Sequence, residues 1–242
     1  MATIIVFQHG DLEGPGRLGA TLRDHGFRLD IRRPDRDGAG AVPPDLDNVH
    51  GVISLGGAMN VGDPLAWLGR EMEFLKLAHE AALPVIGVCL GAQMLAAALG
   101  GKVEKMPRPE WGLAPVSLTV PGQTEAMLAG IPWTVHQFHS HAYEVTELPA
   151  DATLLASSAA CRVQAYRCGL RSFGFQYHFE CDRPAIEGYA RRDGETLAAA
   201  ETSVEALVRQ LDGHYAMFAR AADRLCVNVA TYAFPFDRLV AV

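Results

Sequence analysis

Three short segments carry side chains whose types and spacing suit acyl-transfer chemistry. The first, PVIGVCLGAQMLAAALGG at residues 84–101, sets Cys89 between the apolar run Val85-Ile86-Gly87-Val88 and a stretch rich in helix formers at 93–99. Such a run is expected of a parallel strand buried on both faces. A nucleophile on a strand-to-helix turn sits in a strained backbone conformation, and side chains two positions before and after would crowd it. Gly87 and Gly91 stand at those positions. Against the positive end of the following helix the Cys89 sulfur is favoured as a thiolate, and the Leu90 N–H points at a developing oxyanion. A small cysteine packed between glycines is the alternative for this segment taken alone.

The second segment, SFGFQYHFE at 172–180, alternates Phe173, Phe175, Tyr177 and Phe179 with Gly174, Gln176, His178 and Glu180. On a strand this puts the aromatics on one face and Gln176, His178 and Glu180 on the other, with His178 and Glu180 roughly 7 Å apart along the backbone. A carboxylate beside an imidazole fixes its tautomer and stabilises the imidazolium that forms when the ring takes a thiol proton. A solvated polar strand face is the plainer reading. In the third segment, GVISLGGAMNV at 51–61, a β-branched strand stops at Gly56 and Gly57. These allow close backbone approach, and the Gly57 N–H can supply a second oxyanion donor.

Together, and in this order, the three segments resemble the class I glutamine amidotransferases, with their GxCLGxQ nucleophile motif, GGP oxyanion strand and FQxHPE strand. The resemblance spans residues 45–182. It implies that Cys89 attacks the side-chain amide of glutamine, His178 serves as base and acid, Glu180 orients His178, and Gly57 and Leu90 form the oxyanion hole. It also implies substrate contacts from Gly56, from Gln93 of the elbow motif, and from His139 and Ser140 in the stretch Phe138-His139-Ser140-His141. Phe179 stands where the family usually has proline, and Ala58 and Asn60 replace its usual proline and serine. Phe179 keeps its backbone N–H, so the strand is free to run on past His178.

The elements that must position these residues are read from periodicity. Strands are expected at 3–8, 28–31 and 52–55, with helices at 17–25 and 67–82, before the elbow strand. Alternating strands and helices imply a parallel sheet with helices on both faces and ligand chemistry at the carboxyl ends of its strands. Shorter segments at 116–120, 154–157, 163–166 and 173–179 suggest an added antiparallel portion. The expected fold is therefore a three-layer α/β/α, flavodoxin-like mixed sheet in a single domain over 1–242, with 183–242 a helical extension.

In that extension Thr202-Ser203-Val204-Glu205 reads as a capping box, followed by an apolar stripe through Val208, Leu211, Tyr215, Phe218, Ala222 and Leu225. Gly213 is a candidate break between two helices. The stripe packs on the domain or, alternatively, meets a second copy in a homodimer.

Composition sets outer limits. A chain of 242 residues, 49% apolar and 20% charged, can bury a substantial core. Its net charge of −7, with no basic cluster beyond Arg32-Arg33 and Arg191-Arg192, argues against nucleic acid and against anionic membranes as partners. The N-terminus lacks the features of a signal peptide and no apolar run reaches the roughly 20 residues that span a bilayer, so a cytoplasmic location is expected. Five cysteines without paired spacing suit a reducing compartment, and Cys181 beside Glu180 reads as a packed structural thiol.

No cofactor is called for. The pattern H-x-x-H-x-H at His136, His139 and His141 invites a metal, but Glu144 is the one carboxylate close by in sequence, and on a strand His136 faces away from the other two. No metal site is expected there. The leading function is glutamine amide hydrolysis through a γ-glutamyl thioester, with ammonia passing to a separate synthetase, since no P-loop accompanies the segments. One alternative is a free-standing hydrolase of γ-glutamyl peptides or conjugates, and another is a non-catalytic regulatory subunit on the same scaffold. An α/β-hydrolase is disfavoured because there the acid precedes the histidine.

Overall fold

In the computed structural model, which describes residues 2–234, the strands lie in one nine-stranded sheet of order β2-β1-β3-β4-β9-β8-β7-β5-β6. Its parallel half consists of β1 (Thr3–Phe7), β2 (Arg28–Arg32), β3 (Gly51–Ser54), β4 (Val85–Val88) and β9 (Ser172–Phe175). The antiparallel half consists of β5 (Lys102–Leu118), β6 (Thr134–Glu147), β7 (Ala152–Ser157) and β8 (Ala165–Cys168). Long β6 went unread in the sequence, and β5 begins well before residue 116.

Two apolar layers cover the sheet. Ile4, Val6, Ile53, Leu55, Ile86 and Val88 pack toward α1 (Gly16–Asp24), α6 (Arg183–Arg192) and α8 (Val204–Asn228). Ile5, Phe7, Val52 and Val85 face α3 (Ala66–Glu80) and α4 (Leu90–Ala98) instead. Alternate residues of each central strand thus enter different cores, which is why these strands read as unbroken apolar runs. The short helices α2 (Pro34–Asp37), α5 (Val120–Thr124) and α7 (Gly194–Ala199) complete the set.

Three readings are corrected in the extension. The α8 cap is Ser203, whose side chain accepts from the Ala206 amide, one residue later than the expected box. Gly213 does not break α8, because flanking apolar residues pack on α1, β5 and β6 and outweigh the roughly 1 kcal/mol that a mid-helix glycine costs. The buried stripe runs through Leu207 rather than Val208, which is exposed. The end of the extension, 235–242, lies outside the described residues. Among the described residues no helix is long and apolar enough to cross a membrane.

Candidate active site

Cys89 follows β4 directly, with φ 50° and ψ −108°, and is the first-turn cap of α4. Its amide donates to Phe175 O at 2.8 Å, tying the turn to β9. A Cβ at Gly91 would lie 2.0 Å from Ser54 O, and one at Gly87 would lie 2.6 Å from Gly91 O. The two glycines therefore serve different neighbours: Gly91 lets the helix approach β3, and Gly87 lets the strand approach the helix's first turn. The strain at Cys89 is held by packing on both sides.

The glycines after β3 are equally confined. A Cβ at Gly56 would lie 2.7 Å from His178 Cε1, and one at Gly57 would lie 2.8 Å from both His9 Cβ and Leu90 Cδ2. His9, at the end of β1, was not singled out in the sequence. Its Nδ1 is 3.1 Å from the carbonyls of Leu55 and Gly56, and its Nε2 is 2.9 Å from Glu71 Oε2. Ser54 Oγ donates to the other Glu71 oxygen at 2.7 Å, and the ring stacks on Trp67. All the His9 partners can only accept, so both ring nitrogens donate and the ring is an imidazolium. Burial opposes that charge, but Glu71 and the two carbonyls outweigh it and raise the pKa above the ordinary imidazole value. The Gly56 carbonyl and the Gly57 N–H belong to one planar peptide and point in opposite directions. By holding the carbonyl, His9 fixes where that N–H points.

Beyond β9 the ladder stops at Phe175, short of the expected strand over 173–179, yet the alternation of faces persists. Phe175, Tyr177 and Phe179 form a buried aromatic row, with Phe175 and Phe179 ring centroids 5.1 Å apart. On the other side His178 Nδ1 meets Glu180 Oε1 at 2.7 Å, with both residues buried. The His178 amide donates to Phe138 O and the Arg17 amide to Glu180 O, so backbone bonds to β6 and α1 replace the ladder. Burial disfavours a charged His178, but Glu180 and a hydrogen-bond contact with Cys89 raise its pKa well above the ordinary value. Cys181 sits 3.7 Å from Glu180 Oε1, and burial and that carboxylate push its thiol up to about 12. It is a packed, protonated thiol.

Cys89 opens into a cavity of about 150 Å³ lined by Gly57, Asn60, Leu90, Gln93, Ser140 and Tyr143 among others. Ser140 O lies 3.8 Å from the Cys89 sulfur. Gln93 Nε2 donates to Tyr143 O at 2.8 Å and to Gln176 Oε1 at 3.1 Å, which sets the wall of the cavity. His139, expected beside Ser140 as a substrate contact, turns instead to Glu110 of β5, 3.5 Å from its Nδ1. His141 also reaches Glu110, at 3.1 Å. The carboxylate near these histidines is thus Glu110 rather than Glu144, brought there by the β5–β6 pairing. Burial lowers the His139 pKa to about 4, and the histidines, outweighing burial, lower that of Glu110.

The family model "Glutamine amidotransferase class-I" matches residues 17–184. The chain belongs to the class I glutamine amidotransferase family. One of the separately encoded subunits of the glutamine-hydrolyzing GMP synthase of Thermoplasma acidophilum is 33% identical over 66% of this chain and 76% of that protein. The glutamine amidotransferase-like protein YfeJ of Salmonella typhimurium is 31% identical over 80% of this chain and 82% of its own length. The crystal structure of a glutamine amido transferase from Methylobacillus flagellatus superposes with a TM-score of 0.85 at 26% identity, covering 94% of both chains.

In this family member part of the cavity rim lies beyond the matched residues. Arg192 of α6, together with Asp193 and Thr196 of α7, closes one side of it. The Arg192 guanidinium pairs with Glu13 and Asp193 and lies 4.9 Å over the Tyr189 ring. The sequence marked Arg191-Arg192 only as a basic pair. Its distance along the chain from Cys89 left no local signal that it reaches the cavity.

Proposed function

We propose that this family member hydrolyses the side-chain amide of glutamine through a γ-glutamyl thioester on Cys89, with ammonia as the first product. The observation that carries the reading is the contact of His178 with Cys89 on one side and Glu180 on the other, at the mouth of a cavity. The Cys89 sulfur attacks the amide carbon, and the resulting oxyanion takes hydrogen bonds from the Gly57 and Leu90 amides. His178, charged by the proton of Cys89, returns it to the departing nitrogen, and the C–N bond breaks as the thioester forms. Water, deprotonated by His178, then adds to the thioester carbon, and glutamate and the Cys89 thiol are released. Glu180 holds the ring in the tautomer this cycle needs.

Gln93 and Ser140 line the cavity and are placed to orient the amino-acid end of the substrate. The ammonia acceptor is assigned to a separate synthetase polypeptide, a reading supported by the relative that is itself one subunit of a synthase. A second reading is favoured by Arg192, Asp193 and Thr196 at the rim: a charged wall outside the glutamine-sized floor suits γ-glutamyl conjugates. Comparing kcat/KM for glutamine and γ-glutamyl amines separates the two.

The test of the main reading is intact mass and peptide mapping after incubation with a diazo-ketone analogue of glutamine. A single adduct on Cys89, suppressed by excess glutamine, is expected. A folded protein whose Cys89 reacts with a simple alkylating agent but not with the analogue would overturn it, and would leave a binding or regulatory role on this scaffold.

A further inference from the structure

Behind the cavity wall lie three side chains that the proposed hydrolysis does not use. Glu110 pairs across the β5–β6 ladder with His141, and His139, two residues earlier on the same strand, shares its face. All three are buried, His139 completely. Glu110 Oε2 is 3.1 Å from His141 Nε2 and 3.5 Å from His139 Nδ1, and one ligand atom from each residue lies within 4.8 Å of the others. A tetrahedral zinc ion with bonds of about 2.0–2.1 Å has ligand-to-ligand edges of about 3.3 Å, which those two distances bracket.

Hydrogen-bond accounting points the same way independently. Neither ring nitrogen of His139 has a hydrogen-bond partner among the described residues, an arrangement that leaves a buried donor unmet. His141 Nδ1 is 3.0 Å from Tyr143 O, which can only accept, so a ring proton sits there. The Nε2 lone pair then faces a carboxylate oxygen at 3.1 Å, two acceptors that need a proton or a cation between them. A backbone carbonyl behind a histidine is the usual outer support of a metal ligand. Gln164 Nε2 and Ser158 Oγ donate to Glu110 at 2.8 and 3.4 Å, which sets the carboxylate's orientation. His141 also lines the cavity, so an ion has a way in.

We propose that Glu110, His139 and His141 form a binding site for one zinc-class divalent cation, which fixes Ser140 and its carbonyl beside Cys89. The alternative occupant of the gap is a proton.

The test is metal content and affinity of the full chain, by mass spectrometry of bound metal and by titration of chelator-treated protein with zinc and with cobalt. One equivalent is expected, retained by Cys89→Ser and weakened at least about 10²-fold in a folded His139→Ala protein. The cobalt form of the unsubstituted protein should show tetrahedral d–d bands without thiolate charge transfer, a readout that does not depend on any variant folding. No uptake by folded protein would overturn the site. So would uptake that shows thiolate charge transfer or is lost in Cys89→Ser, because the ion would then sit among His178, Glu180 and the neighbouring thiols.

Discussion

Strands β3, β4 and β9 stop at one edge of the sheet, and each passes the chain within three residues to Gly56, Cys89 or His178. Strands β5 and β6 instead run 17 and 14 residues and bring Glu110, His139 and His141 together in mid-ladder. The parallel half therefore places chemistry through the backbone, by turns, amide directions and glycines that permit close approach. The antiparallel half places it through side chains that converge across a register. Perturbing the first is expected to alter rate with little change in folding, and perturbing the second to alter stability with little change in rate.

The strongest test of that contrast is Cys89→Ala. Glutamine hydrolysis should fall by on the order of 10⁴-fold or more, while the thermal midpoint stays near that of the parent. Glu180→Gln comes next, with a fall on the order of 10³-fold. Its pH profile carries the sharper information. Glu180 raises the His178 pKa, and the imidazolium must persist to protonate the leaving nitrogen, so the alkaline limb of kcat/KM lies well above 6.5 in the parent. Removing the carboxylate charge should move that limb to lower pH. By the same linkage, the stability contributed by a charged His178 is fully present below about 6.5 and is lost as pH rises through the raised value.

His9→Gln, made together with Glu71→Gln to avoid an unpaired buried charge, should lower kcat by on the order of 10²-fold with a smaller change in KM. The decisive control is the alkylation rate of Cys89, which should not change, since the defect lies in the direction of the Gly57 amide. Equal losses in both would refute that assignment. In the antiparallel half, Glu110→Gln should cost about 3 kcal/mol in urea denaturation, since two buried histidines lose their anionic neighbour, and should change kcat less than tenfold. A large rate loss there would erase the contrast. At the bottom of the scale, Val208→Ser on the exposed side of α8 should shift stability by less than about 0.5 kcal/mol, although the spacing of the stripe assigns it to the core.

What could be read from the sequence follows the same division. Cys89, Gly87 and Gly91 declare themselves because the crowding that demands glycine arises within five residues of chain. His178 and Glu180 are two apart, so their meeting needs only local alternation, and that survives the end of the β9 ladder. His9 is different. Its partners come from β3 and α3, and its one visible trace is a histidine closing the strand beside the one that ends in Gly56-Gly57. Glu110 is harder still, because register shifts between Lys102 and Val103 and between Lys105 and Glu110 decide which residue of β5 faces His141. Family membership, carried by the three motifs, needed none of this long-range information.

The tie between α1, α8 and the segment after His178 sets an order of assembly. Arg17 donates from its amide to Glu180 O and from its side chain to Cys181 O, while the same guanidinium is held by Asp223 and Tyr215 of α8. The Tyr215 hydroxyl oxygen also accepts from the Arg183 amide at 2.9 Å. During synthesis the nucleophile turn emerges early, yet the anchorage of the carboxylate end is finished only when a helix made more than a hundred residues later has docked. A nascent chain thus carries its reactive sulfur well before it carries a secured partner for it, and competence arrives with the last long helix.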